Sequence, residues 1–236
     1  MTIVSIHQPQ YIPWIPYFMK VEESDLFILL DSVDFQKNGL QNRNQIKTSQ
    51  GAQWLTVPVS QKLGQKISEV QIDNQTDWRK KHWQSIQFSY SKAGAYKVYV
   101  EELMEVFSRE WFSLNELNIY LFTLMLRWLG IERKMVRSSE METKGNGSDL
   151  VLNLCREAGA KRYISGTGGH NYLNEIAFKD AGIELVYRSS VLPEHYPQMY
   201  PKAGFINSLS ALDIILNCGQ EWRKYMPGVQ GGHDSK

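Results

Sequence analysis

The chain has 236 residues, 42% of them hydrophobic and 22% charged, with a formal net charge of +1. These values are those of an ordinary soluble globular protein and argue against a disordered, fibrous or collagen-like chain; the length fits one sizeable α/β domain. The near-neutral balance exerts no general pull on nucleic acid or an anionic membrane, so nucleic acid is not an expected partner.

In chain order, Thr2 to Ile6 is a short apolar run before a loop punctuated by Pro9, Pro13 and Pro16, and it reads as a buried opening strand. Trp14 to Lys20 fits a short helix, and Leu26 to Leu30 a second buried strand. Strand, short helix, strand is a compact βαβ pattern and predicts a parallel sheet. Gln53 to Val57 is a third strand candidate, stopped by Pro58. From about 76 to 130 the character turns helical, with a nearly all-apolar stretch at Asn115 to Leu129, so an insertion or cap over the sheet is expected. Arg133 to Arg137 fits a further strand, Asp149 to Glu157 a helix with Ser148 as its N-cap, and Lys161 to Ile164 another strand. After SGTGGHN a helix is expected from about Tyr172 to Asp180, closed by Gly182, then a strand at Ile183 to Tyr187. Ser208 to Asn217 is a final helix stopped by Gly219. The expected organisation is a single α/β domain over 1–226 and a flexible tail over 227–236.

Four clusters could carry chemistry. His7-Gln8-Pro9-Gln10-Tyr11, with Trp14 and Tyr17, follows the first strand, at the carboxyl edge where parallel sheets bind ligands. A histidine there can act as a general acid or base; the plainer reading is a loop histidine fixed by backbone carbonyls. Asp31, Asp34, Lys37, Asn42, Arg43 and Asn44 follow the second strand and are expected on the same edge. Asp31 could orient His7, and Lys37 and Arg43 could hold a phosphate or carboxylate, against the alternative of an exposed polar loop. Ser165, Gly166, Gly168, Gly169, His170 and Tyr172 form a glycine-rich bend that can bring backbone N–H groups onto an anion, or simply turn the chain. It lacks the Gly-Lys-Ser/Thr ending of a Walker A loop, and Asn171 stands where the dinucleotide fingerprint needs glycine. Tyr196, Gln198 and Tyr200 alternate with a strand period and could line a sugar or base pocket, or form a plain edge segment.

Other chemistries lack their residues. The five histidines show no HExxH and the two cysteines no CxxC spacing, so no metal is expected. There is no GxSxG elbow. Cys155 and Cys218 suggest no disulfide framework, Met1 to Trp14 lacks the features of a signal peptide, and no apolar run is long enough for a membrane span. A cytoplasmic location is the expectation.

IHQPQYIPWIPYF, LLDSVDFQKNGLQNRNQIKT, WLTVPV, YISGTGGHNYL and NSLSALDIILNCG together resemble the WbqC-like protein family from residue 3 to about 219. The opening also resembles the strand–His loop of the nucleotidyltransferase-type α/β fold, though Gln10 replaces the second histidine of His-x-x-His. The resemblance implies a Rossmann-like, mostly parallel sheet with a helical insertion. It implies a role in bacterial O-antigen and other lipopolysaccharide or surface polysaccharide synthesis, as an acyl or aminoacyl (glycine-type) transfer to a nucleotide-linked amino sugar. Positions matching its motifs are His7, Pro9, Tyr11, Trp14, Tyr17, Asp31, Lys37, Asn42, Arg43, Asn44, Ser165, Gly166, Gly168, Gly169, Tyr172 and Gln198. On this reading His7 is the base, and the donor is a carrier-protein thioester, a coenzyme A thioester or an aminoacyl-tRNA, the near-neutral charge disfavouring the last. An acyl carrier protein would then be a partner. The alternatives are a nucleotidyl or adenylyl transferase and a non-catalytic sugar-nucleotide-binding protein.

Overall fold

The computed structural model describes residues 1–227; the expected tail falls almost wholly outside them. Five strands form an all-parallel sheet: β1 (Ile3–His7), β2 (Leu26–Leu29), β7 (Lys134–Arg137), β8 (Arg162–Gly166) and β9 (Glu184–Arg188), in the spatial order β7-β2-β1-β8-β9. The chain opens with the expected β1-α1-β2 unit, with α1 at Ile15–Glu22. It fills one side of β1 with β2 and β7, then returns to fill the other with β8 and β9. The order therefore reverses between β1 and β8, as in Rossmann-like folds.

Residue alternation along the strands sorts the two faces. Phe27 and Leu29 of β2 join one core with Phe18 of α1 and Phe122, while Ile28 joins Val4 and Ile6 of β1 in the opposite core. The first core takes the helical block: α2 (Trp78–Tyr90), α3 (Tyr96–Ser108) and α4 (Leu114–Leu129), closed by α7 (Ala211–Cys218). The second takes α5 (Gly147–Glu157) and α6 (Glu175–Asp180). Helix α4 is capped at both ends: Ser113 accepts from the Glu116 N–H, and Gly130 takes the left-handed conformation at φ 68° that L side chains resist.

Several local expectations differ from the structure. The strand expected at Gln53 to Val57 exists as β4 (Gly51–Thr56), but it forms an antiparallel hairpin with β3 (Arg43–Thr48) outside the parallel sheet. Asn44 and Arg43 thus lie on a strand, not in an open loop. A second small pair, β5 (Val59–Ser60) and β6 (Gln71–Ile72), follows. Helix α5 begins at Gly147, so Ser148 lies inside it and its hydroxyl instead accepts from the Asn174 N–H. The bend at Thr167–Asn171 is a 3-10 turn, and α6 starts only at Glu175, because Asn174 rather than Tyr172 supplies the capping acceptor, to the Ala177 N–H. Tyr196, Gln198 and Tyr200 form no strand: Tyr196 and Gln198 both donate to buried Asp213, and Tyr200 to the Phe88 carbonyl. Cys155 and Cys218 are free thiols, and no described helix is long and apolar enough to cross a membrane.

Candidate functional site

The reversal of strand order opens a crevice beyond the carboxyl ends of β1 and β8. It has two lobes, of about 350 and about 290 Å³, with His7, Lys20 and Gly166 lining both. Each is near the lower end of the range for small-molecule pockets. Trp14, Tyr17, Glu23, Arg188, Ser189 and Ser190 also line the first lobe. Gln8, Ser165, Gly168, Gly169 and Tyr172 also line the second, with apolar side chains in both. The opening histidine loop and the glycine bend thus share one hollow.

His7 is half-buried at the end of β1. Its Nδ1 lies 3.0 Å from the Gln8 carbonyl. A carbonyl only accepts, so Nδ1 carries the proton and Nε2 keeps its lone pair. The Tyr17 ring packs against the imidazole, tilted by 60° at 4.6 Å between ring centres, and its hydroxyl donates to the same Gln8 carbonyl at 3.1 Å. Burial, helped by the Lys20 charge and opposed by the Gln8 carbonyl, pushes the His7 pKa down to about 3. The ring is neutral at physiological pH.

The glycines of the bend have different duties. A Cβ on Gly169 would meet Ser165 Oγ at 2.2 Å, Leu173 at 2.8 Å and the Tyr187 ring at 3.1 Å. A Cβ on Gly166 or Gly168 meets nothing within 4 Å. Gly169 is needed for close packing; the other two leave the crevice floor bare. Gly169→Ala is therefore expected to cost about 1–3 kcal/mol, whereas Gly168→Ala leaves stability unchanged; thermal unfolding of the two variants checks this. Equal melting temperatures would show that the bend is not packed this tightly.

The acidic and basic cluster does not join the crevice. Asp31 is fully buried, and its carboxylate accepts from Ser138 Oγ, Ser139 N, Ser139 Oγ and Asn115 Nδ2 at 2.8–3.2 Å. It ties β2 to the turn after β7 and to α4, while the partner of His7 is the Gln8 carbonyl. Asp34 pairs with Lys66 in a separate hollow, and Lys37 is exposed. The Arg43 guanidinium donates to the Asn38 carbonyl and lies over Trp54 at 4.5 Å. Asn42 donates to the Val57 carbonyl. Asn44 donates to the carbonyls of Tyr11 and Ile12, fixing Ile12 at φ 38°, a conformation unfavourable to a β-branched residue. Tyr11 is fully buried with its hydroxyl 2.8 Å from His82 Nδ1. Gln198 bonds to Lys47, Tyr196 and Asp213 on α7. These side chains hold the hairpin and loops in place.

Sequence patterns pointed to neither Lys20 nor Arg188. Lys20 sits in the last turn of α1, where a lysine ordinarily answers the helix dipole at the surface. Here it is only 8% exposed and donates to the Ile6 carbonyl at 2.9 Å. Arg188, at the end of β9, pairs with Glu23 across the mouth of the first lobe at 2.7 Å. Among the described residues no group of three or more His, Cys, Asp or Glu could hold a metal ion.

An open, all-parallel sheet whose strand order reverses beside a crevice defines a Rossmann-like α/β protein. The chain belongs to the WbqC-like protein family, whose pattern matches residues 8–225. It is 35% identical to Uncharacterized protein Rv1507c of Mycobacterium tuberculosis over 229 residues, covering 96% of this chain and 98% of that protein. No solved structure gives a significant match.

Proposed function

We propose that the protein is a transferase that binds a nucleotide-linked amino sugar in the crevice and forms an amide on its amine. The observation that carries this reading is His7: a neutral imidazole with its Nδ1 proton fixed and its Nε2 lone pair free, at the switch point and beside bare glycine backbone. The sugar amine attacks the donor's acyl carbon, and a C–N bond forms as the bond to the leaving thiolate or alkoxide breaks. The anionic ligand offsets the burial and the Lys20 charge that depress the imidazole in the empty site, so Nε2 takes the proton released by the amine and returns it to the leaving group. Backbone N–H groups of the glycine bend stabilise the tetrahedral oxyanion. Trp14 and Tyr172 offer flat faces to sugar or base. The donor is a thioester of coenzyme A or of an acyl carrier protein, or an aminoacyl-tRNA, and the setting is bacterial surface polysaccharide synthesis.

The test is incubation with amino-sugar nucleotides and these donors, followed by mass spectrometry for an acyl increment. His7→Ala is expected to lower turnover about a hundredfold with sugar-nucleotide binding retained. Unaltered turnover removes the mechanism. Pyrophosphate release from a nucleoside triphosphate, with no acyl increment, replaces it with nucleotidyl transfer. Binding with no product from any donor makes the protein a sugar-nucleotide carrier.

A further inference from the structure

The gap between β1 and β8 is filled by the Lys20 amino group. The β1–β8 ladder ends at Ser5 and Ile164, while the β1–β2 ladder runs on to His7 and Leu29. The His7 carbonyl accepts from the Leu30 N–H on the β2 side. Carbonyls alternate along a strand, so the Ile6 carbonyl faces the side that β8 has already left. Lys20 Nζ reaches in from α1 and takes that carbonyl. Among the described residues no carboxylate lies within ion-pair distance of Lys20, although its side chain is more than nine-tenths buried and lines both lobes. The ammonium has three donors and one protein acceptor.

The groups around it supply no counter-charge. From β1 comes His7, neutral; from α1, Tyr17, whose phenol burial keeps protonated, and Glu23, already paired with Arg188 of β9; from β8, Tyr163, likewise kept protonated. The bend contributes Ser165 and glycines, which carry no charge, and Tyr172, whose phenol burial likewise keeps protonated. A buried cation facing an open crevice without a counter-ion is costly unless the ligand brings the anion.

We propose that Lys20 is the anion-binding group of the crevice: it receives the diphosphate of a nucleotide ligand and takes up one proton from solvent as that ligand binds. The assignment rests on the reading of the crevice as a nucleotide-sugar site and adds the group that holds the charge. Burial lowers the Lys20 pKa to about 7, so the empty site at pH 8 holds mostly the neutral amine. A diphosphate beside it restores the ammonium.

The experiment is calorimetric titration of the whole protein at pH 8 with inorganic pyrophosphate and with UDP, uridine serving as the control. Buffers of different ionisation enthalpy report the protons taken up. Both anions are expected to bind, UDP (whose phosphates are ionised at pH 8) with uptake approaching one proton, and uridine to bind far more weakly. Lys20→Met is expected to lose at least tenfold in affinity together with the uptake. Lys20→Arg, permanently charged, retains binding without uptake, and His7→Gln retains the uptake. Circular dichroism confirms that each variant is folded. Undiminished anion binding by Lys20→Met, failure of wild type to bind either anion, or loss of the uptake in His7→Gln overturns the assignment. Lys20-dependent binding by a protein that acylates no amino sugar upholds it and removes the proposed reaction instead.

Discussion

Replacing Asp31 with alanine is expected to destabilise the protein by about 3–4 kcal/mol, read as a lower urea midpoint at an unchanged slope. The carboxylate has no exposed surface and accepts from a backbone N–H, two serine hydroxyls and an asparagine amide. Truncation leaves these buried donors without their acceptor. Asp31→Asn keeps the shape but turns one acceptor into a donor, so its loss is smaller and of the same sign. An unchanged midpoint in Asp31→Ala would mean that the end of β2 is secured by other contacts.

Lys20→Met is expected to stabilise the protein near neutral pH. The folded-state pKa of about 7 lies below the ordinary lysine value of 10.5. Between those values the unfolded chain binds a proton that the folded chain has released, so stability rises with pH across the window. Below pH 7 the penalty of the buried charge is complete, and above 10.5 it is gone. Each unit of displacement is worth about 1.4 kcal/mol; the open crevice relieves part of it and losing the hydrogen bond to the Ile6 carbonyl offsets about 1 kcal/mol more, leaving a gain of about 1–3 kcal/mol at pH 7 for the methionine variant. Its stem is apolar and of similar length, so packing is kept. Urea midpoints at pH 7 and pH 10 check the expectation. A difference that stays constant with pH would show that Lys20 is not titrating in that window. A residue that destabilises its own fold while lining the crevice is the pattern expected of functional groups.

Much of the scaffold was legible in the residues. Apolar runs bounded by turn residues marked β1, β2, β8 and β9, because strands buried on both faces carry a near-continuous hydrophobic signal. The placement of His7 and the glycine bend on one carboxyl edge followed from parallel topology alone. Asp31, Arg43 and Asn44 were misplaced because a polar residue after a strand looks the same whether it faces a ligand or bonds to the chain's own backbone. Their partners lie on distant elements: Ser138, Ser139 and Asn115 for Asp31, and the Tyr11–Ile12 backbone for Asn44. Lys20 escaped notice for the opposite reason. On α1 it shares the buried side with Phe18 and Val21, but a lone lysine at a helix end reads as solvated until the neighbouring strand is seen to diverge. Gly169 differs from Gly168 only through side chains three-dimensionally adjacent to it, which no spacing rule encodes.

The strand order also dictates a sequence of assembly. β1 and β2 pair across a short connection and can form early, whereas β1 meets β8 only when Ile3 finds Arg162, near the far end of the chain. Closing so long a loop is entropically the later step. The crevice lies along that seam, so in a refolding chain it takes shape late. On the ribosome, it cannot form until the second half of the sheet has emerged.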